Sequence, residues 1–88
     1  MKVIFTKHAA EEKFLELEKH GWKITKTKVK QVLRNPKWKG ISKHGEETAM
    51  GLLDEKRILR IVFRREDVII IVITIHVARR GRYESTLR

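Results

Sequence analysis

The stretch Val68 to Val77, VIIIVITIHV, constrains this chain more than any other. Ten residues that are nearly all β-branched or apolar run straight into Ala78, Arg79, Arg80, Gly81, Arg82 and Tyr83. Side chains branched at Cβ pack well on a pleated surface and lose rotamer freedom in a helix, so the run reads as a strand. An uninterrupted apolar strand needs partners on both faces, whereas three arginines need water or an anion. A buried strand that delivers a basic end to a surface satisfies both demands.

At 88 residues the chain has room for one domain, spanning 1–88, with one core. A chain of this size buries roughly 60 to 65% of the surface it exposes when unfolded. It contains no cysteine, so neither disulfides nor thiolate metal sites contribute, and packing must supply the stability. The expectation is a cytoplasmic protein. No basic segment followed by an apolar stretch and a small-residue cleavage site opens the sequence, and no apolar run reaches 18 residues, so neither export nor a membrane span is expected.

The net charge of +10 points to a polyanionic partner. Its distribution is uneven. Residues 1–44 carry twelve basic and four acidic side chains, residues 45–88 nine and seven, so the first half holds +8 and the second +2. Eleven of twelve lysines lie in the first half and eight of nine arginines in the second. Lysine attracts anions as a mobile point charge, while the planar arginine fork grips phosphate bidentately and stacks on bases. Diffuse attraction is therefore expected from one half and specific contact from the other. The competing explanation is a hot habitat, which also favours Lys, Glu and Ile over Cys.

In chain order, Val3, Ile4 and Phe5 predict a short first strand, and Thr6 offers an N-cap to a helix over Lys7–His20. Ala10, Phe14 and Leu17 mark its buried face, and Gly21 sits where a C′ glycine belongs. A second helix is predicted from Thr25 to Arg34, with Thr25 as N-cap, Ile24 stapled onto Val29, a stripe of Val29, Val32 and Leu33, and Asn35-Pro36 as the stop. Lys26, Lys28 and Lys30 crowd its N-terminal end. The helix dipole disfavours cations there by about 0.3 to 1 kcal/mol each, so they mark either a visiting anion or a solvated face.

From Trp38 the pattern turns strand-like. Strands are predicted over Trp38–His44 and Thr48–Leu53, with a turn at His44–Glu47 and bulges at Gly40 and Gly51. After a turn at Asp54–Arg57, the last two strands run Ile58–Arg64 and Val68–Val77, joined by Arg65-Glu66-Asp67. A three-residue loop placing Arg64 opposite Val68 sends Leu59, Ile61, Phe63, Ile69, Ile71, Ile73, Ile75 and Val77 to one side, which must lie under the helices. The other side then carries Arg60, Arg64, Thr74 and His76 among apolar residues and is expected to hold a ligand. A two-residue loop would mix the two sets and bury arginine.

The sequence contains no Walker loop, dinucleotide fingerprint or HExxH, and its four histidines stand singly. His8 and Glu12 share a helix face but lack a third ligand, and neither Ser42 nor Ser85 sits in a nucleophile elbow, so no metal and no cofactor is expected. What remains is basic. Arg60 and Arg64, His76 at the end of the last strand, and Arg79, Arg80, Arg82 and Tyr83 beyond it are candidates to converge on a phosphate. These residue types suit metal-independent RNA cleavage, which needs a base for the 2′-OH proton, a cation on the developing phosphorane and an acid for the leaving oxygen. Trp38, between Lys37 and Lys39, is expected to cover the sheet edge rather than stack on a base.

The FTKHA start, the helix ending in NP, the LRIVFR strand and the VITIHVARRGRY ending together resemble the RelE/ParE-like toxin superfamily, in particular its BrnT-like members and small stand-alone relatives. The resemblance covers nearly the whole chain, and its most specific part is the last strand with ARRGRY. It implies an α+β fold of order β-α-α-β-β-β-β, with a short N-terminal strand and a two-helix hairpin packed on a curved antiparallel sheet. It also implies an endoribonuclease acting on mRNA, on or off the ribosome, with an acidic antitoxin as partner. Arg60, Arg64, Arg80 and Tyr83 match the family's catalytic pattern in type and approximate place, with His76 beside them. Lys43 or Lys56 would serve as an auxiliary cation, and Lys26, Lys28, Lys30, Arg79 and Arg82 as further nucleic-acid contacts. ParE-like relatives keep the fold without nuclease residues, so the resemblance also admits a binding module without catalysis.

Overall fold

A computed structural model describes residues 2–79. The order is β1 (Lys2–Phe5), a π-helical segment (His8–Lys13) continuing into α1 (Phe14–Lys19), α2 (Lys26–Arg34), then β2 (Trp38–Ile41), β3 (Glu47–Leu52), β4 (Arg57–Glu66) and β5 (Ile69–Arg79). The strands form one sheet in the order β1-β5-β4-β3-β2. All neighbours are antiparallel except β1, which joins β5 in parallel. The chain is thus α+β with the expected element order, and the parallel edge strand is a correction to a wholly antiparallel sheet. Predicted site residues Arg80, Arg82 and Tyr83 lie outside the described residues.

Local chemistry sets the helix ends. The Thr6 hydroxyl accepts from the Ala9 N–H at 3.2 Å and donates to the Ile73 carbonyl at 3.2 Å, so one side chain caps the helical segment and ties it to β5. At the other end Gly21 takes φ +86°, while the Trp22 N–H reaches the Leu17 carbonyl and the Gly21 N–H that of Glu18. This is a Schellman closure that a side chain at Gly21 would strain. Thr25 caps α2 through the Lys28 N–H at 3.1 Å. The first helix departs from expectation in its winding. A π-wound start shifts the phase, so Ala9 is the fully buried alanine and Ala10 only half so.

Five of the six largest fully buried side chains, Ile58, Leu59, Ile61, Val72 and Ile75, lie on β4 and β5. Each contributes about 1.5 to 3 kcal/mol by leaving water, so this hairpin is the structural core. Its register corrects the expectation. The turn is the two-residue Asp67-Val68, with Asp67 at φ +56° and Glu66 opposite Ile69, rather than a three-residue loop with Arg64 opposite Val68. Arg64 faces Ile71 instead. The ladder then slips by one residue between Val62/Phe63 and Val72/Thr74, leaving Ile73 as the extra residue of a β-bulge.

The bulge reverses the phase of β5 halfway along. Val72 and Ile70 join the helix-side core near the turn, where Ile71 and Ile69 were expected, whereas Ile75 remains there beyond the bulge as expected. On β4 the alternation is unbroken, and Leu59, Ile61 and Phe63 face the helices as expected. The feared burial of arginine does not occur, because Arg65, in phase with the core, stands at the exposed end of β4. There its guanidinium bonds Glu47 at 3.0 Å and lies 5.4 Å over the Phe63 ring.

The two glycines expected to bulge do something else. A Cβ on Gly51 would stand 3.0 Å from Val32 Cγ2, so its absence lets α2 approach the sheet, and a Cβ on Gly40 would meet the Thr48 hydroxyl at 3.0 Å. The β2–β3 connection also differs from expectation: β2 stops at Ile41, leaving Ser42–Glu46 as a five-residue loop.

Two outcomes check this account. Gly51→Ala should lower stability by about 1 to 3 kcal/mol in urea unfolding, since Val32 must move; an unchanged midpoint would mean that α2 does not rest on this glycine. Deleting Ile73 should leave a cooperatively folded protein, because Val72 opposite Phe63 and Thr74 opposite Val62 would then be consecutive pairs of a regular ladder with the same residues facing the helices; loss of cooperative unfolding would mean that the bulge itself is required.

Candidate functional site

Beyond the bulge, the face of the sheet turned away from the helices presents two cross-strand pairs, Arg60 opposite His76 and Val62 opposite Thr74. Over them curls the loop after β2. Ser42 builds that loop: its N–H donates to the Glu46 carbonyl at 2.7 Å, its carbonyl accepts from Gly45 at 2.9 Å, and its hydroxyl accepts from the His44 and Glu46 N–H groups. Gly45, at φ +83°, makes the turn tight enough to close. Together the loop and strands line an open groove of about 520 Å³, formed by Ser42, Lys43, His44, Glu46, Arg60, Val62, Thr74 and His76.

Electrostatics distinguish His76 within it. Burial holds its imidazole below the ordinary value of 6.5, and the positive charges of Lys13 and Arg60 push the same way, opposed by Glu16. The ring is therefore neutral at pH 7 and available to accept a proton. Among the described residues Arg60 has no carboxylate at ion-pair distance, whereas Arg64 meets Glu66 at 3.4 Å and Arg65 meets Glu47 at 3.0 Å. An unpaired guanidinium beside a neutral imidazole suits a phosphate.

Of the residues expected from the sequence, Arg60, His76 and Lys43 come together here. Arg64 shares the face of Arg60 but stands four residues away, roughly 13 Å along the strand, and does not line the groove. Lys56, whose N–H bonds the Asp54 carboxylate at 2.8 Å, sits at the opposite end of the β3–β4 hairpin from the Ser42–Glu46 loop. Arg79 is exposed opposite Arg57, whose guanidinium stacks 4.2 Å over Trp22. Lys26, Lys28 and Lys30 belong to the helix layer across the sheet, with the Lys26 ammonium 5.2 Å over the Phe5 ring, so they do not join the groove. Trp38 is half-buried opposite Met50 at the β2 edge, as expected.

Sequence reasoning missed the rim. Ser42 falls within the expected strand Trp38–His44, and His44 and Glu46 were legible only as a turn, although Ser-x-x-Gly with a hydroxyl able to bond N–H groups two and four residues on is the signal that the loop is ordered. Among the described residues no group of three or more His, Asp or Glu side chains is arranged to hold a metal ion, and no helix is long and apolar enough to cross a membrane.

No family model, curated protein or solved structure matches this chain.

The depressed His76 value has a thermodynamic consequence. In the unfolded chain the imidazole takes a proton near pH 6.5, but in the folded protein only at lower pH. The contribution is thus fully present above pH 6.5 and is lost as pH falls toward the folded value. Stability should drop on acidification from pH 7.5 to 5.5 by more in the wild type than in His76→Gln. Equal slopes in denaturant titrations would mean that His76 is not depressed.

Proposed function

We propose that this protein is a RelE-type, metal-independent endoribonuclease that binds single-stranded mRNA across the open face of its sheet. The observation that carries this reading is the juxtaposition of neutral His76 and Arg60, which has no carboxylate at ion-pair distance among the described residues, in an open groove of a chain with net charge +10. In this reading His76 removes the proton of a ribose 2′-OH, and the 2′ oxygen attacks the adjacent phosphorus. Arg60 neutralises the charge gathering on the phosphorane oxygens. Lys43 on the rim draws the backbone in. The basic character of the chain supplies the long-range attraction, and an acidic antitoxin would cover the same face by the same charge complementarity.

A second reading, a nucleic-acid or antitoxin-binding module without catalysis, draws support from Arg64, which is tied to Glu66 outside the groove and leaves a sparser cationic set than a nuclease of this type would use. Incubating RNA with the purified protein in the presence of a chelator separates the two. Cleavage should leave 2′,3′-cyclic phosphate ends, survive chelation and fall about 10²- to 10⁴-fold in His76→Gln. Arg60→Ala should lose a comparable factor and also weaken binding. Intact RNA after long incubation, with tight binding that collapses as salt rises, would decide for the module. Absence of RNA binding at low salt would remove the nuclease and, of the second reading, leave only a module for an acidic protein partner.

A further inference from the structure

Cleavage of a phosphodiester needs an acid for the leaving oxygen as well as a base for the attacking one. The two stand on opposite sides of phosphorus, because the entering and leaving oxygens lie nearly in line. The groove has that polarity. Along β4 and β5 its floor runs from the Arg60–His76 pair to the Val62–Thr74 pair, two residues on, or roughly 7 Å. Thr48 lies opposite Val62 and Glu47 opposite Phe63, so the Ser42–Glu46 loop, which enters β3 at Glu47, closes the end of the groove away from Arg60 and His76. His44 lines the groove from that loop. A phosphate resting over Val62 and Thr74 would thus have His76 on one side and His44 on the other.

The loop holds His44 in place through the main chain. The His44 N–H donates to the Ser42 hydroxyl at 3.3 Å, while the Ser42 N–H reaches the Glu46 carbonyl at 2.7 Å and the Gly45 N–H the Ser42 carbonyl at 2.9 Å. None of these bonds uses the imidazole, which is exposed and has no hydrogen bond or ion pair among the described residues. Lys43 and Glu46 are the other ionisable groups on that rim. An imidazole takes and gives a proton near neutral pH, whereas a carboxylate ordinarily has none to give and an ammonium holds its own. Of the three side chains the histidine is the one suited to protonate an alkoxide.

We propose that His44 is the general acid of this groove and protonates the leaving 5′ oxygen, facing His76 across the phosphate. The inference rests on the RNA-cleaving reading. His76 takes the 2′-OH proton, the new bond joins the 2′ oxygen to phosphorus, the bond from phosphorus to the 5′ oxygen breaks, and that oxygen receives a proton from the His44 ring. The products are a 2′,3′-cyclic phosphate and a free 5′-OH. One proton enters the protein and one leaves it, so the two histidines end with their protonation exchanged and are reset by water. Ser42, which bonds the main chain of the loop and not the substrate, is a positioning residue.

A substrate whose 5′ oxygen is replaced by sulfur tests this, because a thiolate leaves without a proton. His44→Gln should lose about 10²- to 10⁴-fold on ordinary RNA yet cleave the sulfur-substituted RNA within about tenfold of wild type. Its urea midpoint should be unchanged, since the imidazole takes no part in holding the loop. His76→Gln should lose activity on both substrates, and His8→Gln, which lies outside the groove, should match wild type on both. Equal activity of His44→Gln and wild type on ordinary RNA would overturn the acid role while leaving cleavage by His76 standing, as would equal losses on the two substrates. Rescue by sulfur in Glu46→Gln instead would overturn it in favour of the carboxylate. A wild type inactive on both substrates would remove the RNA-cleaving reading and the acid role with it. Titration with inorganic phosphate requires no cleavage: the ring signals of His44 and His76 should move together in NMR spectra with one midpoint. Movement of His76 alone, or of neither, would overturn the shared site.

Discussion

The pairing of β4 with β5, and the extra residue at Ile73 within it, is the constraint on which the rest depends. A two-residue turn at Asp67-Val68 fixes one phase for the ladder, with Phe63 and Val72 on the helix side. The same phase carried to the end would turn Ile75 outward and His76 into the core. Inserting Ile73 restores the match, so that Ile61 and Ile75 face the helices together while Arg60 and His76 face away together. Burying an imidazole beside apolar side chains in place of isoleucine would cost several kcal/mol, which is reason enough for the slip.

The bulge also decides where the helices begin. A bulged strand bends and leaves backbone groups outside the ladder, and those must be satisfied elsewhere. The Ile73 carbonyl is met by the Thr6 hydroxyl, one residue past the end of β1, and the same hydroxyl caps the helical segment. One oxygen thus links the bulge, the end of the parallel strand and the start of the helix.

Much of this was legible in the sequence and some was not, for identifiable reasons. The caps at Thr6 and Thr25, the glycine at 21 and the stripe of Val29, Val32 and Leu33 announce themselves because each position demands its residue type. The faces of β4 were also legible, since Arg60 and Arg64 break the apolar run at an even spacing that puts both on one face. The phase of β5 was not. From Ile69 to Ile73 every residue is a β-branched hydrophobe, so either frame buries the same chemistry and the pattern cannot choose. Ala9 and Ala10 defeated the helix reading in the same way, being identical neighbours between which only the winding decides. Gly40 and Gly51 read as bulges because their small size was legible, but not the neighbour that needed it.

The four arginines of β4 fall into two states, and the division explains why charge alone did not locate the groove. Arg64 and Arg65 are matched by Glu66 and Glu47, and Arg57 rests on Trp22, so each has its charge or its flat face satisfied within the protein. Exposed pairs of this kind contribute little stability, but they reduce the local field. Arg60 lies half-buried with His76 on one side and Met50 on the other, where neighbouring strands provide no carboxylate. A partly desolvated guanidinium with no counterion among the described residues is placed to gain from an incoming phosphate. The depression of His76 comes first from its burial, to which the positive charges of Lys13 and Arg60 add and which Glu16 opposes. A carboxylate placed opposite Arg60 would steady the fold and at the same time raise His76, leaving the groove less attractive to an anion and its imidazole less ready to take a proton.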